Sequence, residues 1–197
     1  MNKSPAMQVD LAGLGFRLLG ADGPVPQAGL AALADNGATA AAGTVDLLIV
    51  SNPLLPEGPA LDLGSTLTAV TAAGRAMASR GSGRIVLLLS AMAGLPMRRH
   101  FEYSAAMAGA AAHMRGLAME LAPRVLVNAV GAGVIEAAGT TLAGDPRMLS
   151  HAPLGRPGSV EDVANAVLFL CDPLNSYTTG QLLIVDGGWS VGYGRNF

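Results

Sequence analysis

From Val45 onward, continuous apolar runs alternate with Ala-rich stretches of helical length. Val45–Val50 is apolar except for Asp46 and leads into Ser51-Asn52-Pro53, which predicts a buried strand and its exit turn. Arg84–Ser90, Val125–Val130 and Gln181–Asp186 repeat the pattern, the last broken by Gly187-Gly188. Between them, Leu63–Arg80 is free of proline and ends near Gly81, and Phe101–Ala122 stops at Pro123. Val160–Cys171 opens on Ser159, a residue able to cap free amides, with Asp162 in its first turn. Strands alternating with long helices predict an α/β fold, a doubly wound parallel sheet with helices on both faces.

The segment before Val45 is patterned differently. Phe16–Gly20 reads as a short strand and Gln27–Asp35 as a helix stopped by Asn36-Gly37, with Gly23-Pro24 and Pro26 marking a turn between them. Asn36–Gly43, rich in Ala and Gly, reads as a connector. A chain of 197 residues suits one domain, here with a short first part, 1–44, and a regular core, 45–197.

Composition adds an expectation of assembly. The chain is 51% hydrophobic and only 13% charged, against about 25% charged in an average soluble domain. So few charges cover a surface thinly, and part of it is expected to lie against other subunits. The net charge of −2 gives no nucleic-acid footprint, and Arg98-Arg99-His100 is the one local basic cluster. Cys171 is the single cysteine, which excludes an internal disulfide and fits a reducing compartment. The longest apolar run, Ile85–Met97, is interrupted by Ser90, Gly94 and Pro96, and Met1–Asp10 has no long apolar segment. These features lead us to expect a soluble, cytoplasmic protein. His100, His113 and His151 show no metal-ligand spacing, so no metal site is expected.

Several ordered motifs carry a resemblance. Gly83-Arg84-Ile85-Val86, Ser90 and Tyr103 come first, then Val127-Asn128-Ala129-Val130-Gly131-Ala132-Gly133. Leu154-Gly155-Arg156-Pro157-Gly158 follows, and the series closes with Thr179-Gly180-Gln181 and Val185-Asp186-Gly187-Gly188-Trp189. Together they resemble the short-chain dehydrogenases/reductases over about three quarters of the chain, from Val45 to Val191. That resemblance implies a Rossmann-like sheet with its N-terminal half shortened, and an ancestry in hydride transfer with NAD.

In that family a lysine stands one helical turn after the tyrosine, where its charge favours phenolate. This chain has Met107 there. The family's Thr-Gly-x-x-x-Gly-x-Gly phosphate loop has its nearest counterpart in Gly13, Gly15 and Gly20, at the wrong spacing and beside Phe16 and Arg17. The family's asparagine falls near Thr66, its Asn-Asn-Ala-Gly becomes Ser51-Asn52-Pro53-Leu54, its Pro-Gly becomes Ala132-Gly133, and its following threonine is Ala137. Ser90, Tyr103, Met107 and Thr66 thus read as remnants of a site, with no cofactor-binding residues expected.

Two readings of Ser90 and Tyr103 stay open. They are structural, or they form a hydroxyl pair serving a cofactor-independent lyase, cyclase or dehalogenase. The resemblance also implies contact surfaces: helices 63–80 and 101–122, and 160–171 with 181–186, are the elements through which family members assemble. Eroded chemistry beside retained contact elements leads us to expect an inactive subunit of a heteromer, a heterotetramer, whose full-length active partner binds NAD. No nucleic acid, membrane or metal is expected as a partner. The tail Tyr193–Phe197 is a candidate to reach the partner's site.

Overall fold

Alternate residues of the central strands face two different helix layers. In the computed structural model, which describes residues 7–57 and 63–192, the elements run β1 (Gly15–Gly20), α1 (Pro24–Asp35), β2 (Thr39–Ala40), β3 (Leu47–Ser51), α2 (Leu63–Arg80) and β4 (Gly83–Ser90). They continue as α3 (Phe101–Leu121), β5 (Val125–Ala132), β6 (Ile135–Ala137), β7 (Thr140–Ala143), α4 (Val160–Cys171), β8 (Leu182–Val185) and α5 (Trp189–Gly192). Six strands form one sheet in the order β2-β1-β3-β4-β5-β8, and every pairing within it is parallel. The expected α/β architecture is therefore present.

All five residues of β3 are buried. Leu47 and Ile49 join the cluster beneath α1 and α4, whereas Leu48 and Val50 join the one beneath α2 and α3. β4 does the same, with Val86 and Leu88 on one side and Ile85, Leu87 and Leu89 on the other. Each such side chain contributes about 1.5–3 kcal/mol when fully buried, which is why these runs are apolar without interruption. Between α2 and α3 the approach is close: a Cβ on Gly74 would stand 2.5 Å from Leu121 Cδ1.

The boundaries correct several expectations. The first helix begins at Pro24, not Gln27, because proline at the first helical position needs no hydrogen-bonded N–H. The stretch expected to be only a connector holds β2, paired with β1 through Gly15↔Thr39 and Phe16↔Ala40. β5 runs on to Ala132. After it the chain makes the antiparallel hairpin β6–β7, turning at Ala138 (φ 50°) and Gly139 (φ 77°). α4 matches its expected bounds, with a reciprocal cap: Ser159 Oγ accepts the Asp162 amide and Asp162 accepts the Ser159 amide.

Candidate functional site

In doubly wound sheets ligands bind at the carboxyl ends of the strands, where the strand order reverses. Here that point lies between β1 and β3, since the chain winds outward from β1 to β2 and the other way from β3 to β4.

The loop that follows β1 is Gly20-Ala21-Asp22-Gly23, leading into α1. The glycines proposed from spacing lie elsewhere. Gly13 is in the turn before β1, and Gly15 and Gly20 are its two ends. A pyrophosphate needs free amides at the helix N-terminus. Pro24 and Pro26 have none, Gln27 gives its N–H to Gly23 O at 3.0 Å, and Gly23 gives its own to Asp22 Oδ1 at 2.7 Å. That leaves Val25, a buried residue. The Asp22 carboxylate also accepts from Gln27 Nε2 at 2.7 Å, and these two bonds hold its pKa below the usual carboxylate range. An anion stands where a bound phosphate would lie. The residues at this end do not fit a dinucleotide pyrophosphate.

Ser90 and Tyr103 are brought together at the carboxyl end of β4. Ser90 is fully buried, and its Oγ accepts the Met92 amide at 3.2 Å. Tyr103, in the first turn of α3, donates its hydroxyl to the Pro53 carbonyl at 2.8 Å. Burial pushes the phenol well above its ordinary pKa, and the hydroxyl of Ser90 beside it offsets this only in part. Met107 is fully buried in the cluster beneath α2 and α3. Arg98 and Arg99 lie exposed in the preceding turn and are not among the groups acting on the phenol.

Thr66 sits half-buried in the first turn of α2. Ala132 ends β5, and Gly133 follows it with its amide on Val185 O at 2.9 Å; a Cβ there would stand 2.6 Å from Asp186 Cα. Ala137 is exposed in β6. Tyr193–Phe197 lies outside the described residues.

One cluster had no sequence signal. Asp145 accepts from His100 Nε2 at 2.8 Å and from Arg147 Nε at 2.9 Å, with the Arg147 Nη2 on the same carboxylate. The Arg147 guanidinium, above all, holds this carboxyl far below the usual range. It ties the 3₁₀ turn Pro146–His151 to the start of α3, across 45 residues of chain. Among the described residues no cluster of His, Cys, Asp or Glu could hold a metal ion. No helix there is long and apolar enough to cross a membrane. A cavity of about 690 Å³ lies between α4 and the end of β8, lined by Val134, Leu154, Asp162, Asp186 and Val191 among others; it includes neither Ser90 nor Tyr103.

Comparison with known proteins agrees with the sheet and the retained motifs. A family profile described as enoyl-(acyl carrier protein) reductase matches residues 34–190, and the chain belongs to the short-chain dehydrogenase/reductase family. It is 43% identical over 118 residues to a 3-oxoacyl-[acyl-carrier-protein] reductase of Aquifex aeolicus (strain VF5), covering 58% of this chain and 48% of that protein. A galactitol 2-dehydrogenase (L-tagatose-forming) of Cereibacter sphaeroides is 38% identical over 140 residues, 67% of this chain and 55% of the relative. The chain thus spans about half the length of the curated relatives it matches. Among solved structures, a 7 alpha-hydroxysteroid dehydrogenase complexed with NADH and 7-oxo glycochenodeoxycholic acid superposes with a TM-score of 0.75 at 22% identity, over 91% of this chain and 95% of that one. A gluconate 5-dehydrogenase from Burkholderia cenocepacia J2315, in complex with NADP and tartrate, gives 0.74 at 18% identity, over 92% and 97%. These likenesses establish the fold.

Proposed function

We propose that this chain is a catalytically inactive subunit of a heteromeric NAD-dependent short-chain alcohol dehydrogenase. NAD would be bound by a full-length partner, and this chain would complete and stabilise the assembly. Binding only the folded partner, it stabilises that form by mass action. The observation that carries this reading is the environment of Tyr103. Its proton is engaged by the Pro53 carbonyl, burial disfavours phenolate, and the helical position that would supply a cation holds the buried Met107. The same hydrogen bond speaks against cofactor-independent chemistry by the Ser90–Tyr103 pair, because the phenol's only proton is not aimed at an open pocket.

The blocked first turn of α1 supports the absence of NAD from this chain. A partner role draws on α3. Phe101, Ala105, Ala108, Ala112, Gly116 and Met119 are all exposed and follow one another at three- and four-residue steps. Phe101 and Met119 stand 69% and 78% exposed at its two ends, with side chains between them small enough for a helix to approach closely. The substrate we propose is a hydroxyacyl-CoA such as 2-(hydroxyphenylmethyl)succinyl-CoA. The pairing of an active with an inactive subunit looks like the dehydrogenase of anaerobic toluene breakdown.

Co-expression with the neighbouring reading frame, followed by size exclusion, tests the proposal. Stable co-elution, with turnover unchanged by Tyr103→Phe in this subunit, is expected. An active homomer of this chain alone would overturn it.

A further inference from the structure

At the crevice between the ends of β1 and β3 the segment after β3 is tied down at several points. The two strand exits are joined directly: the Ala21 amide donates to Ser51 O at 2.8 Å, and a Cβ on Gly20 would stand 2.2 Å from that same oxygen. Beyond Ser51 the chain folds back across the carboxyl end of the sheet. Asn52, buried, is held to β4 through both its amide and its Nδ2, which donate to Leu88 O at 3.3 and 3.2 Å. Pro53 offers its carbonyl to Tyr103, and Leu54 offers its carbonyl to the amide of Gly144, which follows β7, at 3.0 Å. The Leu54 side chain is only 7% exposed. It belongs to the same buried cluster as Val25 from the first turn of α1, Ile135 from β6 and Ala143 from β7.

The geometry points to Leu54 as a built-in plug of the dinucleotide crevice, and to Tyr103 as the positioning residue that latches it there. This rests on the reading that the chain uses no cofactor, and it deepens that reading. The crevice is closed by apolar core and backbone hydrogen bonds that the chain itself supplies. Leu54 shares one buried cluster with the first turn of α1 and with the β6–β7 hairpin, the parts that flank a ligand at this crevice. A hydrogen bond to a carbonyl on an irregular segment holds that segment in one place, and Tyr103 provides it from the first turn of α3. The phenol has exchanged an acid's role for a fastener's.

Amide hydrogen exchange on the purified full chain reads the latch locally, at Gly144, with Ala129 in β5 as the reference. Tyr103→Phe keeps the ring and removes the donor; Leu54→Ala keeps the donor and removes the plug. Each variant is expected to speed exchange at Gly144 by about five-fold or more, the loss of roughly one hydrogen bond's worth of local protection, while Ala129 keeps its wild-type rate. An unchanged Gly144 in both variants would overturn the plug, and so would equal acceleration at Ala129, which signals global loosening. Titration of the wild-type chain with NADH, followed by melting temperature, is the separate arm. No shift with Gly144 unprotected sinks the plug alone, whereas a saturable shift sinks both the plug and the reading beneath it.

Discussion

The Asp22 carboxylate accepts the amide of Gly23, 2.7 Å away, at the one end of α1 where a phosphate would seek that amide. The bond occupies the Gly23 amide, and the two prolines beside it remove further donors. Asp22→Ala removes the charge and frees one N–H, yet Pro24 and Pro26 remain. Isothermal titration with NADH is expected to show no binding for either the wild type or the variant. Heat from the variant alone would mean that Asp22 is the sole obstacle.

Met107→Lys would put an ammonium into the fully buried cluster beneath α2 and α3. A buried lysine sheds its proton or distorts the core, so a loss of about 2–4 kcal/mol in urea unfolding is expected, with no gain of dehydrogenase activity. Wild-type stability together with new turnover would show that the missing lysine was the only defect.

Asp145 provides a pH test. Its folded pKa lies far below the ordinary carboxylate range, so the stability it contributes is present above the unfolded value of about 4 and is lost as pH falls through the folded one. The difference between wild type and Asp145→Asn should be constant from about pH 8 to 5 and shrink only below about pH 4. Because Arg147 is nearly half exposed, we expect about 1–3 kcal/mol rather than the value of a fully buried pair. A difference that vanishes near neutrality would show that the Asp145 carboxylate does not carry it.

Tyr103 shifts the other way. A phenol whose folded pKa is raised contributes stability that is present below its unfolded value, about 10, and is lost as pH rises through the folded one. Alkaline spectrophotometric titrations of the wild type and Tyr103→Phe are therefore expected to overlay up to about pH 11, the buried phenol staying silent. An earlier additional phenolate signal in the wild type would show the site to be open.

For the partner surface, Ala112→Arg places a long cation in the middle of the exposed α3 stripe. Stability should change by no more than about 0.5 kcal/mol, as for most surface sites, while co-elution with the active subunit is lost. Retained co-elution would move the interface to α4 and β8.

Sheet and helices were legible because their signals are local. Leu47–Ser51 and Ile85–Ser90 are unbroken buried runs, and Ser159 with Asp162 is a complete cap. The β6–β7 hairpin was not legible, since Ala137-Ala138-Gly139 lacks alternation and Ala138 takes a positive φ usually left to Asn or Gly. Spacing drew attention to Gly13, Gly15 and Gly20, whereas the loop after β1 carries Asp22 and two prolines, visible only once β1 is placed. Ser90, Tyr103 and Met107 were readable as a set. What Tyr103 touches was not, because Pro53 is 50 residues away along the chain and adjacent only in the fold.

The outermost strand has a consequence for the border of the sheet. β2 is two residues long, Thr39-Ala40, and both are exposed. Had the sheet stopped at the six-residue β1, it would present a row of unpaired donors and acceptors able to template another chain. β2 covers only Gly15 and Phe16, so among the described residues Arg17–Gly20 have no strand partner on that side. That four-residue stretch is where an added strand could extend the sheet.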